Sequence, residues 1–334
     1  MIHALPLSRP PHALLIALFG LMLGAPASAQ STATVTQSTS AQSGSALSVS
    51  TQSASAQAPS ARSGPEVSGV VTGGFDSRLA GGGNARIDLG FSLPVLPRRI
   101  DGLRFEFGLY SFVREASNPH ETYAAFGWGD HLRFGVLRPA FDAVLDSPFA
   151  TVLPRVADET VDSHRSYATE AALRRTAVPI GLSWSDRNGN LDWQISLHDA
   201  ERGNFRLISA SASQEVGALT LAGAVEGVWT HGSGRWRGLN AKLGMRAPLG
   251  AGDAGLTLLH AEANGADDAL ELDWRYDLRP DLALFAMTHL EATGGDDHYG
   301  LGASYAITPS NSLTVTASGG SGTAGIYTGL SHRF

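Results

Sequence analysis

The sequence predicts an all-β chain whose main body is a transmembrane antiparallel β-barrel of about sixteen strands. Three observations carry this. Only 16% of the 334 residues are charged, against about 25% in an ordinary soluble domain, so much of the surface does not face water. From Glu66 onward apolar and polar residues alternate with period two, the mark of strands with one apolar and one polar face. The strands are about 9 to 11 residues long and carry aromatics near their ends (Trp128, Trp184, Trp229, Tyr276, Tyr305), which suits a bilayer crossing with interfacial anchors.

Taken in chain order, residues 1–29 read as a secretory signal peptide. Arg9 and His12 precede the apolar run from Ala13 to Gly24, and Ala27-Ser28-Ala29 offers small residues for cleavage before Gln30. Losing Arg9 with the signal leaves 23 basic against 31 acidic residues, a formal net charge of -8. That balance disfavours nucleic acid as a partner. The chain has no cysteine, which excludes a disulfide framework, a zinc-thiolate site and a thiol nucleophile.

Residues 30–65 form a second segment. From Ser31 to Ser63, 27 of 33 residues are Ser, Thr, Ala or Gln, and Arg62 is the sole charge. Such a stretch cannot bury a core and reads as a disordered arm before the barrel. The barrel itself spans 66–334. No later run is apolar and long enough to form a membrane-spanning helix, which needs about 18 residues or more.

Within the barrel, Leu191, Trp193, Ile195 and Leu197 alternate with Asp192, Gln194, Ser196 and His198, and Leu239 to Arg246 and Leu270 to Asp277 repeat the pattern. Candidate strands lie at 67–76, 85–93, 103–113, 121–129, 131–138, 166–175, 179–185, 191–199, 204–214 and 217–229. Further ones follow at 235–247, 254–262, 268–277, 281–291, 297–307, 311–318 and 324–334. These number seventeen, whereas a closed single-chain barrel with both ends on one side needs an even count. Strand direction counted from the two ends disagrees between Tyr167 and Val216, so one candidate there is surplus and sixteen is the prediction. Short turns at Gly129-Asp130, Leu278 to Pro280 and Thr308 to Ser310 look periplasmic. Longer polar ones at 80–84, 116–120 and 294–297 look extracellular. Between Arg138 and Arg165 some 26 residues show no alternation, and a connection of that length is usually functional or disordered.

The stretch from Tyr123 through Gly129-Asp130 to Arg138, followed by Pro139-Ala-Phe-Asp142 and Asp146-Ser-Pro-Phe149, resembles the fourth strand, tight turn, fifth strand and start of the constriction loop in general porins of Gram-negative outer membranes. The ending Tyr327-Thr-Gly-Leu-Ser-His-Arg-Phe334 is similar to the C-terminal strand of those proteins, whose last aromatic is read by the barrel-assembly machinery. The Ser/Thr/Ala/Gln arm departs from their pattern. The resemblance implies a homotrimer of sixteen-stranded barrels in outer-membrane lipid, each with its third extracellular loop folded inward. It also implies passive passage of small hydrophilic solutes, no cofactor, and Phe334 as the assembly signal.

The residues of the long connection fit that expectation. It carries Asp142, Asp146, Asp158, Glu159 and Asp162 against Arg155 and His164, while Arg86, Arg104 and Arg133 stand on the polar faces of neighbouring strands. If the polar face is the lumen, acidic loop and basic wall oppose one another and set which solutes pass, with a weak preference for cations. The same acids on a solvated loop, and the arginines paired with neighbours, are the plainer alternative.

Three further motifs carry less. Gly250-Ala-Gly252-Asp-Ala-Gly255 matches G-x-G-x-x-G, but strand-like residues follow, so no helix N-terminus is available to hold a pyrophosphate. Asp296-Asp297-His298 offers oxygen ligands for a cation on an exposed loop, where such acids are more often simply solvated. Ser196 and His198 share one polar face, as a barrel phospholipase or protease would need, but no acid or amide partner is specified. A substrate-specific channel remains the closer alternative to a diffusion pore.

Overall fold

A computed structural model describes residues 65–334, apart from 80, 96–101, 115–117, 160–163, 294–296 and 321–323 and the side chains of 158 and 159. The signal peptide and arm expected at 1–29 and 30–65 therefore lie outside the described residues, save for residue 65.

Alternation along the sequence becomes sixteen antiparallel strands. They run β1 (Glu66–Asp76), β2 (Gly83–Pro94), β3 (Leu103–Arg114), β4 (His120–Trp128), β5 (Leu132–Val136), β6 (Ile180–Asn188), β7 (Leu191–Ala200) and β8 (Phe205–Val216). The second half holds β9 (Leu219–Thr230), β10 (Trp236–Leu249), β11 (Gly252–Ala261), β12 (Ala269–Arg279), β13 (Leu282–Glu291), β14 (His298–Thr308), β15 (Asn311–Gly320) and β16 (Gly325–Arg333). Each strand pairs with its sequence neighbours, and β1 pairs with β16 from Val70↔Arg333 to Asp76↔Tyr327, closing the barrel. Closure removes both sheet edges, and every strand has a partner on each side.

The surplus candidate was 166–175. That segment is a helix, α3 (Tyr167–Leu173), not a strand. Ser166 caps it, its side chain accepting from the Ala168 N–H, and the alanine-rich run that follows favours helix. Two shorter helices precede it, α1 (Phe149–Val152) and α2 (Pro154–Glu159), with a 3₁₀ turn at Ala140–Ala143. The connection between β5 and β6 therefore extends over 137–179, longer than the 26 residues without alternation between Arg138 and Arg165, and its described residues include these helices. The G-x-G-x-x-G stretch is a two-residue turn, 250–251, followed by the first four residues of β11.

The distribution of side chains is inverted relative to a soluble protein. Leu301, Trp128 and Tyr299 are 63%, 62% and 60% exposed on the outer wall, while Glu226, Glu271 and Lys242 are 0%, 1% and 2% exposed inside. An apolar exterior around a polar interior is stable where the outside is hydrocarbon and the inside holds polar partners. One rim carries short turns, at 189–190, 217–218, 250–251 and 309–310, and also both ends of the barrel; the other carries the longer connections.

Aromatic rings lie over glycines on the wall. Tyr327 covers Gly74 and Gly329: a Cβ at Gly74 would stand 2.8 Å from the ring, and one at Gly329 would meet its hydroxyl. The absent side chains let the ring lie flat against the inner wall, where it joins Phe285 and Met287 under Phe149, Leu153, Val156 and Ala157 of α1 and α2. Each large apolar side chain so buried contributes about 1.5–3 kcal/mol to holding the loop inside.

Candidate pore constriction

The described residues of the connection 137–179 lie within the cylinder and are fastened to its wall at several points on each limb. Leaving β5, Arg138 donates through Nε to Glu121 of β4 at 2.8 Å, and the Ala140 N–H donates to Ser196 Oγ of β7 at 2.8 Å. Burial opposes the charge on Arg138, but Glu121 and Asp88 outweigh it and raise its pKa above the ordinary arginine value. Farther on, Arg86 of β2 donates to the Ala150 carbonyl, and Thr316 of β15 donates to that of Val152 at 2.9 Å.

The returning limb is held by buried carboxylates. Glu271 of β12 lies between His164 and His289, with His289 Nδ1 at 2.9 Å from Glu271 Oε1. Glu226 of β9 accepts from Ser166 Oγ, from the Tyr167 N–H at 2.8 Å and from Asn240 Nδ2 at 3.0 Å. Ala168 of α3 packs with Ala200, Phe205, Leu207 and Val228 of the wall. With its acceptor oxygens occupied in this way, a buried carboxylate can hold a loop in place without an unsatisfied acceptor.

The opposite wall is a ladder of ion pairs. Arg86 stands 3.6 Å from Asp88, Arg104 3.4 Å from Glu66, Arg133 3.2 Å from Glu106 and Arg138 2.8 Å from Glu121. Arg86 also lies over the Tyr110 ring at 5.5 Å, and Arg138 over Tyr123 at 6.0 Å. Four guanidinium groups thus meet four carboxylates, so the wall carries strong local fields and little net charge.

The sequence-predicted residues fall into separate groups. Arg86, Arg104 and Arg133 all reach the lumen face of the β2–β5 wall, each beside a wall acid. Asp142 turns toward the start of α3, accepting from the Ser166 N–H at 2.8 Å and from Thr169 Oγ1 at 2.5 Å. Asp146 lies on the loop near Lys242. Asp158 and Glu159 end α2, with side chains outside the described residues, and Asp162 is outside them altogether. Phe334 ends the chain on the short-turn rim, 59% exposed, its N–H donating to the Gly69 carbonyl at 3.0 Å.

Two lesser candidates acquire structural roles. Ser196 is buried beneath the loop, bonded to Ala140 and 2.8 Å from Ser209 Oγ, with His198 Nε2 at 3.2 Å. Its hydroxyl is engaged in fastening the loop. Asp297 accepts the Glu291 N–H at 3.0 Å, and Asp296 lies outside the described residues.

Sequence reasoning did not single out Glu121, Glu226, Lys242 or Glu271. Strand parity puts all four on the polar face, and Lys242 is the chain's single lysine. These two signals were available. What the sequence lacked was the register that sets them beneath the loop.

A closed cylinder of sixteen strands with a polar interior, crossed by the connection after the fifth strand, decides the architecture. It is the porin fold. A multiply substituted variant of Rh. blastica porin superimposes with a TM-score of 0.61 at 16% identity, over 81% of this chain and 100% of that one. A triple mutant of Rhodopseudomonas blastica porin gives 0.59 at 15% identity over the same shares. A structure described as showing asymmetric conductivity of engineered proteins gives 0.59 at 16%. No protein-family model matches the sequence, and no curated protein does. The likeness to the porin fold therefore lies in backbone architecture.

Proposed function

We propose that the protein is an outer-membrane porin, a water-filled channel for passive diffusion of small hydrophilic solutes and ions. The observation that carries this reading is the inverted barrel, apolar outside and polar within, with a fastened loop narrowing its lumen. In this reading the protein is a channel and not an enzyme. The short-turn rim faces the periplasm, residues 1–29 direct export, and 30–65 form an arm outside the barrel. Three barrels associate as a homotrimer within outer-membrane lipid. The ion preference is weakly cationic, because the acidic excess of the chain and of the loop is offset at the ion-paired wall.

Purified protein in a planar bilayer should give discrete, ohmic conductance steps. A folded protein that inserts without conducting would refute the channel reading. Conductance abolished by one solute class alone would establish a substrate-specific channel instead.

Assembly supplies a second test. Phe334 anchors the closing strand at the periplasmic interface, its ring 4.7 Å from His332, where an aromatic is favoured. Removing Phe334, or replacing it with Asp, should lower outer-membrane abundance severalfold with synthesis and signal cleavage unchanged. Normal abundance would count against its role as the assembly signal.

A further inference from the structure

One cation under the loop stands apart from the ion-paired wall. Lys242 projects inward from β10, is 2% exposed, and lies 4.6 Å from the centre of the Phe141 ring. Its Nζ donates to two loop carbonyls, those of Leu145 at 3.4 Å and His164 at 3.2 Å. These belong to the outgoing and returning limbs. His164 Nδ1 is also 3.1 Å from the Leu145 carbonyl, so wall and both limbs meet at one point.

The backbone is shaped for this meeting. Leu145 has φ of 54°, a left-handed conformation that a branched side chain adopts only under constraint. Its side chain sits where a Cβ on Gly244 would be, 2.6 Å from that position, one inward position along β10 from Lys242. A larger residue at 244 would push the limb off the wall. Asp142 of the loop and the inward carboxylates Glu226 of β9 and Glu271 of β12 are tied to the same returning limb, through Ser166, Tyr167 and His164.

We infer that Lys242 is the positioning residue of the constriction: it ties the two limbs of the connection together at Leu145 and His164 and offsets the carboxylates beside them, fixing aperture and ion preference together. A lysine suits the task better than an arginine. Its compact ammonium can donate in several directions within a space closed by an aromatic ring, whereas a planar guanidinium needs a wider, flatter site. The inference rests on the channel reading for its functional consequence, but the clamp itself is testable without conduction.

The test compares wild type, Lys242→Met and Lys242→Arg, each first shown to be folded by heat-modifiable gel migration. Lys242→Met should give a larger, flickering conductance, and its reversal potential in a salt gradient should shift toward the cation's equilibrium potential. Lys242→Arg should restore the wild-type reversal potential while retaining the flicker, since charge returns but the fit does not. Wild-type steps and wild-type selectivity in Lys242→Met would overturn the inference.

Amine acylation read by peptide mass covers the case in which Lys242→Met fails to fold or the wild type does not conduct. With one lysine in the chain, the only other amine is at the N-terminus. Lys242 should be protected in the folded wild type and labelled in His164→Ala, where one limb loses its tie to Glu271. Labelling of wild-type Lys242 as fast as the N-terminal amine, or continued protection in His164→Ala, would overturn the clamp. Protection followed by release would uphold it even if the channel reading had failed.

Discussion

Replacing Arg86, Arg104 and Arg133 together with glutamine is expected to make the channel strongly cation-selective, a far larger change than neutralising the loop acids would bring. Each guanidinium is 3.2–3.6 Å from a wall carboxylate. Removing the three takes the guanidinium beside each of Asp88, Glu66 and Glu106 away. A carboxylate about 4 Å from a passing ion acts with roughly 1–4 kcal/mol between bulk water and a protein surface, and salt limits its reach to about 8 Å. Three of them should raise the cation-to-anion permeability ratio severalfold, read as reversal potential in a salt gradient. Neutralising the three acids as well should bring the potential back. Neutralising Asp142, Asp146, Asp158 and Glu159 should move it modestly toward anions, because Asp142 is already committed to Ser166 and Thr169. An unchanged potential in the arginine variant would place the β2–β5 wall outside the ion path.

Glu226→Leu should release the returning limb while leaving the cylinder intact. The Tyr167 N–H then loses its acceptor and Asn240 one of its partners, at about 1–3 kcal/mol for each buried group left unsatisfied. The backbone ladders that join β8, β9 and β10 do not involve the Glu226 side chain and survive the substitution. Limited trypsin digestion should therefore cut after Arg165 many times faster than in wild type, with heat-modifiable migration retained. Glu226→Gln, which keeps a carbonyl acceptor, should show a smaller increase. Equal cleavage at Arg165 in all three proteins would show that Glu226 does not hold the limb.

The barrel was legible because alternation is local: each strand declares its two faces within ten residues, and only the membrane reverses which face is apolar. The error at 166–175 has a physical origin. Its run Tyr167-Ala-Thr-Glu-Ala-Ala-Leu173 fits either period, and the choice is made by Ser166, whose hydroxyl caps the helix and bonds to Glu226, 60 residues away. A long irregular connection could be read from lost alternation, its inward course only from the resemblance to general porins, and the arginines' side of the wall from parity. Their pairing could not, since Arg104 meets Glu66 across 38 residues and Arg133 meets Glu106 across 27. Lys242 was hidden for the same reason, its loop carbonyls lying 97 and 78 residues earlier.

Strand β5 has five rungs with β4 and five with β6, whereas β8 and β9 share twelve. Mechanically the cylinder is a hoop of uneven stiffness, most compliant where the crossing segment springs from the wall. Amide exchange should be fastest along β5 among the strands, and lateral pressure from the bilayer should be taken up there first. Strain taken up at this seam would bear first on the Arg138 and Ala140 ties of the crossing segment.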